Sequence, residues 1–518
     1  MSFKGPLRKK FSKGCLQPPR SFVYLMEAHE RKHKKRMKEN DEGMEMNHGG
    51  ESRYYILTDG FALRGWKLLP YAIQALHYEQ TEFFLKPDFE LISACDGHTP
   101  IQWEKLTEEQ KGRYDHWEKY GFIRRTKGNE RLQPTQEYRF SPARFKEYVQ
   151  WSITGRCNYK CRHCFMSAPH AAQGEPAWEE LMVMLDAFAR CGVRNLQLTG
   201  GEPMVRGDFW ELVDAIHEKG LTVTTLYSNG LLITDAFLDK LEARDMRPSI
   251  QFSFDGVGHH DWMRGIPGAE KIVLDALKRC QDRGIPTSVS MVICRESAGC
   301  IRESVNLMAS LGVLSMKVGN ASPMGEWKNE PEHFLSQAEA YEAFLDYIPH
   351  YFEDGKPLTL GLEGFFNYDR AKEKLSSWFE KDIEEQYFGK ALMCGPVRRG
   401  MYVSPKGNVL PCMSMVGGPI ENQFPNMLET PLEDILDKQS AYMDITTSRV
   451  SDFMEHNPDC KTCEYRNGCC GGCRAIAVRD HPTDYLSKDL DTCRYFRDGW
   501  KAKKDALLRR IGQLSDHK

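Results

Sequence analysis

The chain has 518 residues, of which 41% are apolar and 28% are charged. This composition is typical of a globular protein and excludes a chain that is disordered throughout. The net charge of −3 argues against nucleic-acid binding through overall charge. The sequence has no apolar run of about 18 residues, so we expect no membrane-spanning helix and no membrane partner.

The 17 cysteines are unevenly distributed along the chain. Three lie between 157 and 164, and five lie between 460 and 473. The basic N-terminus lacks the apolar stretch of a secretory signal, so we expect a cytoplasmic protein with reduced thiols. Clustered thiols in such a protein indicate metal or iron–sulfur binding rather than disulfides.

Two units precede the main part of the chain. Residues 1–52 are rich in Lys and Arg and predict a flexible basic arm. This arm is either a solvated tail or a contact for an acidic peptide or nucleic acid. Residues 53–140 predict a small mixed domain.

In the small domain, a hairpin is expected around Asp59, followed by a helix over 70–79. A second helix should begin after the N-cap Thr107 and end at Gly121. The segment FIRRTKG…EYRF predicts a β wing. These elements together predict a winged-helix unit, a fold that binds DNA or peptides.

From residue 148 to 325, apolar strands alternate with amphipathic helices. We expect six strands, at 148–154, 195–200, 222–229, 249–255, 287–293 and 314–321. Six β–α repeats predict an α/β fold with a partial (β/α)6 TIM-like barrel, because the two further units of a full barrel are not visible. Residues 326–390 predict a helical bridge, and residues 391–518 predict a loop-rich, Gly- and Cys-rich domain.

A CxxxCxxC motif formed by Cys157, Cys161 and Cys164 follows the first of these strands. Three thiolates can hold three irons of a four-iron cluster and leave the fourth iron open. The motif lies at the carboxyl end of a strand, where α/β barrels place their chemistry. A zinc site with His163 as fourth ligand is the alternative, but this spacing is not usual for zinc.

Phe165 completes the motif, which resembles the signature of the radical SAM superfamily over about residues 150–325. The resemblance implies that the open iron binds S-adenosylmethionine (SAM). One-electron reduction of SAM then yields a 5′-deoxyadenosyl radical that removes a hydrogen atom from the substrate. The protein supplies binding, orientation and protection from solvent.

Other strand ends carry motifs of the same family, in LTGGEP, YSNG and FSFDG followed by HHDWMRG. The cofactor-binding candidates in these motifs are Gly200, Gly201, Glu202, Pro203, Ser228, Asn229, Ser253 and Arg264. The resemblance implies that GGEP meets the amino group of SAM, and a carboxylate suits an ammonium group. It assigns YSNG to the ribose or carboxylate, and Ser253 and Arg264 to the carboxylate; a surface ion pair is the alternative for Arg264.

A second group of cysteines has the spacing of the SPASM domain, an extension of radical SAM enzymes that modify peptides and proteins. The matching residues are Cys394, Cys412, Cys460, Cys463, Cys469, Cys473 and Cys493. The resemblance implies two auxiliary [4Fe–4S] clusters, three clusters in all with the SAM-binding one. Zinc ribbons use pairs of CxxC units and do not explain this spacing.

The resemblance assigns these thiols to two sites. The distal site has four of them, Cys460, Cys463, Cys469 and Cys493. The near site has only Cys394, Cys412 and Cys473. Sulfatase-maturing relatives have an extra cysteine where Gly400 stands here, so the near cluster is expected to keep an open iron that can bind a substrate thiolate, unless Cys470 is the missing ligand.

The remaining cysteines are expected to be buried structural thiols. Cys294 and Cys300 follow the fifth strand, however, and one of them could donate a hydrogen atom to a substrate radical. The 53–140 unit resembles the leader-binding element of enzymes that mature ribosomally made peptides, which adds a peptide strand to its sheet. A DNA-binding unit and a structural cap are the alternatives.

We therefore expect an enzyme that forms a thioether between a Cys sulfur and a carbon in a ribosomal precursor peptide, with flavodoxin or ferredoxin as electron donor. A carbon–carbon or carbon–oxygen crosslinking enzyme and a peptide epimerase are alternatives. A sulfatase-type maturase is disfavoured by Gly400. A non-catalytic iron–sulfur redox regulator does not explain LTGGEP and FSFDG, because an electron carrier needs no SAM site. Nucleic acid is not expected as a partner.

Overall fold

The structure is a computed structural model that describes residues 52–76 and 79–515. The basic arm predicted for residues 1–52 therefore lies almost wholly outside the described residues. Within the described part of the chain, no helix is both long and apolar enough to cross a membrane.

In its described residues, the N-terminal unit contains two small sheets and two α-helices. Its strands are β1 (Tyr54–Leu57), β2 (Phe61–Lys67), β3 (Leu69–Ala75), β4 (Thr81–Phe83), β5 (Ile123–Thr126) and β6 (Arg139–Arg144). Its helices are α1 (Lys86–Ser93) and α2 (Glu108–Lys119). Strands β1 and β5 form one sheet, and the other sheet has the order β4-β3-β2-β6.

One prediction for this unit is confirmed and others are wrong. Thr107 caps α2 in a capping box with Gln110, as the sequence predicts. The segment predicted as a helix over 70–79 instead forms β3, which pairs with β2. Its short apolar run fits a strand as well as a helix, so only pairing with β2 decides.

The wing also differs from the prediction, since β5 pairs with β1 and β6 pairs with β2 rather than with each other. The expected hairpin at Asp59 is absent, because β1 and β2 belong to different sheets. A winged-helix arrangement is therefore not confirmed. The sequence indicated strands β1, β2, β5 and β6 but not β3, and the pairing of these strands is set by contacts between distant residues.

All six strands expected between 148 and 325 are confirmed and run parallel. They are β7 (Tyr148–Ser152), β8 (Asn195–Thr199), β9 (Thr222–Ser228), β10 (Ser249–Ser253), β11 (Thr287–Ile293) and β12 (Ser315–Asn320). The helices between them are α3 (Trp178–Arg190), α4 (Phe209–Glu218), α5 (Asp235–Ala243), α6 (His260–Arg264), α7 (Ala269–Asp282) and α8 (Ile301–Ser310). The α/β prediction is thus confirmed.

The sheet is larger than predicted, because both of its sides are extended. After α9 (Gln337–Glu353), strand β13 (Thr359–Leu362) adds parallel to β12, and β14 (Phe366–Asp369) and β15 (Lys374–Ser376) follow antiparallel. On the other side, β16 (Gly400–Val403) adds parallel to β7, followed by β17 (Val409–Leu410). The expectation of an all-helical bridge over 326–390 is therefore wrong from residue 359 onward.

The C-terminal region after β17 is built from short helices and loops. Its described helices are α10 (Leu432–Ile435), α11 (Ala441–Thr447), α12 (Val450–His456), α13 (Pro458–Lys461), α14 (Arg466–Cys469), α15 (Arg474–Asp480), α16 (Leu490–Arg497) and α17 (Trp500–Arg510). The seven cysteines expected to hold the two auxiliary clusters lie in or beside these helices and in the loops around β16 and β17.

The two faces of the large sheet differ in polarity. Apolar residues such as Val149, Trp151 and Leu196 are fully buried, and Trp151 packs edge-on against Phe188 of α3, with 5.2 Å between ring centroids. The opposite face, here called the inner face, carries half-buried polar residues that alternate with them, among them Gln150, Gln197, Tyr227, Gln251 and Ser290. The inner face is thus a polar surface suited to a polar ligand.

The N-terminal unit docks on the first strands of this sheet. The Leu76 carbonyl accepts hydrogen bonds from Arg194 Nε at 3.1 Å and Thr222 Oγ1 at 3.2 Å. Glu79 Oε1 accepts from Gln197 Nε2 at 2.8 Å and from Thr224 Oγ1 at 2.7 Å. The unit and the inner face therefore share a polar contact.

Candidate functional site

The predicted motifs meet at one edge of the sheet, because parallel strands place their carboxyl ends together. Glu202, after β8, accepts a hydrogen bond from the Asn229 backbone N–H, after β9, at 2.8 Å. The Asn229 side chain donates to Asn158 Oδ1 in the cysteine loop at 2.7 Å. Three segments that are far apart in sequence thus form one site.

The Glu202 side chain is fully buried at the centre of this site. Its Oε2 also accepts from Ser228 Oγ at 3.4 Å, whereas Oε1 has no hydrogen-bond partner among the described residues. Burial raises the pKa of this carboxyl to about 7. A buried carboxylate oxygen without a donor fits an ammonium group, so the site fits the amino group of SAM.

The glycines before Glu202 let the two motifs touch. A Cβ on Gly201 would lie 2.1 Å from the Arg156 carbonyl oxygen and 3.0 Å from Cys157 Cβ. Gly200 has a φ of +147°, and a Cβ there would lie 2.3 Å from the Thr154 carbonyl oxygen. No larger side chain fits at either position without displacing the cysteine loop.

Arg264 approaches the cysteine loop from helix α6. Its Nη1 lies 3.6 Å from Cys161 Sγ, and its Nε lies 2.6 Å from Asp255 Oδ2. Burial by itself would raise the pKa of Asp255, but the Arg264 charge, together with the rings of His163 and His260, holds that pKa below its usual range. The fully buried pair also receives the Val292 N–H on Asp255 Oδ1 at 3.2 Å.

This geometry shows contacts that sequence reasoning missed. Asp255 was visible in FSFDG, but only its contact with Arg264 gives it a role in the site. His163 Nε2 lies 3.9 Å from Asp255 Oδ1, and burial lowers the pKa of His163 to about 4. His163 is therefore a neutral neighbour of the ion pair.

The remaining cofactor candidates lie around the same edge. Ser253 ends β10, Pro203 begins a short 3₁₀ turn, and Phe165 follows the cysteine loop with 36% of its surface exposed. Their contacts with SAM, like the contact of Arg264 with the SAM carboxylate, stay predictions.

Three thiols of the C-terminal region form the near group. Burial raises the pKa of Cys473 to about 11, and the Cys412 and Cys394 thiolates add to that rise. Position 400 has no room for a further cysteine, since a Cβ on Gly400 would lie 2.4 Å from the Tyr148 ring. The near group thus offers three thiols to a cluster.

The distal group lines a cavity of about 160 Å³. Its thiols are Cys460, Cys463, Cys469 and Cys493, and Cys470 also borders the cavity. The Cys470 Sγ donates to the Asn467 carbonyl at 3.1 Å, and its backbone is left-handed with a φ of +44°. Cys470 thus lies on the distal side, which disfavours it as a ligand of the near cluster. Thiolates are the preferred protein ligands of iron–sulfur clusters, so both groups fit one.

Cys294 and Cys300 both direct their thiols into the protein. Cys294 Sγ lies 3.5 Å from Ser297 Oγ, and Cys300 Sγ donates to the Ser297 carbonyl at 3.0 Å. Burial raises the pKa of both thiols. These contacts favour structural thiols, and a role as hydrogen-atom donor stays a prediction.

Sequence comparisons agree with this site. Residues 151–308 match the radical SAM superfamily, and residues 394–464 match the SPASM iron–sulfur cluster-binding domain. Cys469, Cys473 and Cys493 lie beyond the second match.

Two curated relatives are similar over much of the chain. AdoMet-dependent heme synthase of Nitratidesulfovibrio vulgaris is 26% identical over 361 residues, which cover 67% of this chain and 94% of that enzyme. PqqA peptide cyclase of Granulibacter bethesdensis is 26% identical over 349 residues, which cover 65% of this chain and 83% of that enzyme.

The fold is shared with Streptococcus suis SuiB bound to precursor peptide SuiA, with a TM-score of 0.59 and 16% identity. That likeness covers 85% of this chain and all of SuiB.

Replacing Glu202 by Gln should weaken SAM binding about 10- to 100-fold, because a hydrogen bond to a charged group is worth about 1.5–3 kcal/mol. Equilibrium dialysis of the iron-loaded protein measures this affinity, with Glu218→Gln on the surface of α4 as control.

In the metal-free wild type, the raised pKa of Glu202 means that the free energy of unfolding falls as pH rises toward about 7. The Gln variant should lack that fall, and unchanged SAM affinity would contradict the assignment.

Replacing Asp255 by Asn should lower the free energy of unfolding by about 3–5 kcal/mol, because Arg264 would remain buried without its counter-ion. Urea unfolding of the metal-free protein measures the change. Asp235→Asn, which breaks an exposed pair with Arg283, should cost less than about 1 kcal/mol. An equal loss of free energy of unfolding in the two variants would show that the buried ion pair contributes no more to stability than the exposed one.

Replacing Cys470 by Ser should leave the iron content unchanged, whereas Cys469→Ser should lower it, because only Cys469 is assigned to a cluster. Iron and sulfide per chain are measured after anaerobic reconstitution. A loss of iron in Cys470→Ser equal to that in Cys469→Ser would make Cys470 a ligand.

The site and the comparisons agree on the class of chemistry. The buried carboxylate, the cysteine loop and the two further thiol groups provide places for SAM and for iron–sulfur clusters. The sequence matches cover strands β8 to β11, the CxxxCxxC loop, and Cys394, Cys412, Cys460 and Cys463 of the C-terminal region. We conclude that the chain is an enzyme that combines a radical SAM domain with a SPASM iron–sulfur cluster-binding domain.

Proposed function

We propose that the enzyme forms a thioether between a Cys sulfur and a carbon atom of a ribosomally made precursor peptide. The observation that carries the proposal is the near group of Cys394, Cys412 and Cys473. Among the residues that the structure describes, neither candidate for a fourth cysteine ligand is available, since Tyr148 fills the space at Gly400 and Cys470 Sγ donates to the Asn467 carbonyl. Such a group suits a cluster that accepts a substrate thiolate.

When bound, the cofactors supply a 5′-deoxyadenosyl radical, generated by one-electron reduction of SAM at the CxxxCxxC cluster with flavodoxin or ferredoxin as donor. Cys157, Cys161 and Cys164 would hold that cluster, and Cys460, Cys463, Cys469 and Cys493 the distal one. Glu202 would hold the amino group of SAM, with Gly200, Gly201, Ser228, Asn229, Ser253 and Arg264 around it. Arg264 also donates toward Cys161, and hydrogen bonds to sulfur tune such clusters.

The inner face of the sheet favours a peptide over a tetrapyrrole as substrate. Its half-buried side chains are mostly amides and hydroxyls, such as Gln150, Gln197, Gln251 and Ser290. These groups can exchange hydrogen bonds with a peptide backbone, whereas a polycarboxylate tetrapyrrole calls for cations and apolar area.

The N-terminal unit also supports a peptide substrate. The similarities to heme synthase and to PqqA peptide cyclase each leave about a third of this chain unmatched. The likeness to SuiB covers more of this chain than residues 148–518 can supply, so it extends into the N-terminal unit. This comparison favours the peptide-modifying branch.

A leader peptide can bind this unit by adding a strand to its four-stranded sheet, whose outer strands are β4 and β6. Large apolar side chains are exposed on and beside these strands, namely Leu68, Phe83, Leu85, Tyr138 and Phe140. Exposed apolar side chains concentrated in one small unit are typical of a binding surface.

A peptide epimerase is the second candidate. It would need a hydrogen-atom donor near the carbon radical, and both candidate thiols, Cys294 and Cys300, bond inward to Ser297. The contacts therefore favour bond formation over hydrogen return.

Anaerobic reaction of a Cys-containing precursor peptide with SAM, reductant and enzyme in deuterium oxide should remove two hydrogens per modification. The cysteine involved should resist alkylation, because its sulfur is bonded to carbon. High-resolution mass spectrometry measures both, with the Cys412→Ser variant as control.

Loss of two hydrogens with all thiols still free would indicate a carbon–carbon or carbon–oxygen crosslink. Gain of one carbon-bound deuterium without hydrogen loss would indicate epimerisation. Either outcome contradicts thioether formation.

A further inference from the structure

Strand β13 ends at a carboxylate that none of the recognised motifs contains. Glu363 follows Leu362, and its φ of +33° lies in the left-handed region that residues other than glycine avoid. Strained residues of this kind are found preferentially at functional sites. The carboxyl ends of the parallel strands, where Glu363 lies, are also where α/β folds place their ligands.

The side chain of Glu363 belongs to the inner face. Gly319 of the neighbouring strand alternates with the buried Val318 and therefore lies on the inner face. On the neighbouring strand β12, a Cβ on Gly319 would lie only 3.4 Å from the Glu363 carboxyl carbon. The carboxylate therefore lies over β12, in space that is open because residue 319 is a glycine.

The surroundings of Glu363 bring the pKa of its carboxyl group close to neutral pH. Burial raises its pKa to about 7, although the Asn320 N–H donates to Oε2. The charged groups that face it are Lys317 of β12, Asp491 of α16 and Arg479 of α15. Arg479 belongs to the helix whose N-cap is Cys473, so Glu363 is electrostatically coupled to the helix that begins at one of the near thiols.

We propose that Glu363 is the general base that takes the proton of the substrate thiol before its sulfur bonds to carbon. The inference rests on the proposed function. The substrate S–H bond would break and its proton would go to the Glu363 carboxylate, which leaves the thiolate that the near cluster accepts. The substrate carbon would give a hydrogen atom to the 5′-deoxyadenosyl radical, the C–S bond would form, and the remaining electron would go to an iron–sulfur cluster of the SPASM domain.

The first test is Glu363→Gln, assayed with SAM, reductant and a Cys-containing precursor peptide. We expect thioether formation to fall about 100-fold or more, the usual range for a lost general base, while 5′-deoxyadenosine still forms. The ratio of thioether to 5′-deoxyadenosine should therefore fall by about the same factor. Glu363→Asp should restore part of it, and Glu373→Gln is the control, because Glu373 is exposed and also has a positive φ of +49°.

The pH profile gives a second readout. Thioether formation by the wild type should rise with pH through about 7, because the base must be unprotonated. The Gln variant should lose that rise. In the metal-free protein, the infrared carboxyl band present in wild type and absent from Glu363→Gln should titrate over the same pH range.

The Glu363→Gly variant distinguishes the effect of losing the carboxylate from the effect of relieving the backbone strain at residue 363. Glycine adopts a positive φ without strain, so this variant should unfold at an equal or higher temperature than wild type and still lose coupling. A Gly or Gln variant that keeps the wild-type ratio would overturn the role of Glu363 while leaving thioether formation intact. A wild type that cleaves SAM but leaves the peptide unchanged would instead overturn the proposed function, and Glu363 as its base with it.

Discussion

The buried ion pair between Asp255 and Arg264 connects the cysteine loop, helix α6 and strand β11, which make few other contacts with one another in the active site. The cysteine loop has no regular secondary structure, and it packs on helix α6 through the Arg162 N–H, which donates to the Met263 carbonyl at 2.9 Å. Arg264, at the end of that helix, reaches Cys161 on one side and Asp255 on the other. Asp255 is in turn fixed by the Val292 N–H of β11. A buried pair of this kind requires full satisfaction of both charges, so it defines one position for the loop.

The large sheet departs from ordinary parallel sheets in a way that bears on function. When a parallel sheet is covered on both faces, the side chains on both faces are usually apolar. Here one face packs on helices through residues such as Val149 and Leu198, and the inner face keeps amides and hydroxyls half-buried. A polar inner face adds nothing to an apolar core, but it lets water or a polar substrate lie against the strands. The SAM motifs lie at the carboxyl edge of this same sheet.

The two auxiliary thiol groups are linked by buried cations. Lys381 donates to the carbonyls of Met393 and Gly472 at 2.7 and 2.9 Å, and its charge interacts with Cys394 and Cys469. Arg474 is 1% exposed and interacts with thiols of both groups. These cations offset the negative charge that thiolates and clusters bring into a region of low dielectric. Asp489 adds a direct tie, because it accepts the Cys473 N–H and caps the helix that carries Cys493.

The sequence by itself determined the chemistry of the chain and the six central strands. Cysteine spacing and the GGEP motif are local patterns, and β7 to β12 repeat with helices at regular intervals, so local rules suffice for both. Tertiary structure decided the rest. Residues 69–75 became a strand only by pairing with β2, and β13 and β16 joined the sheet from distant parts of the chain. The direction of the Cys470 thiol, the partner of Arg264 and the place of Glu363 depend on contacts between residues far apart in sequence. Such contacts leave no periodic pattern in the sequence, because burial and pairing are properties of the folded chain.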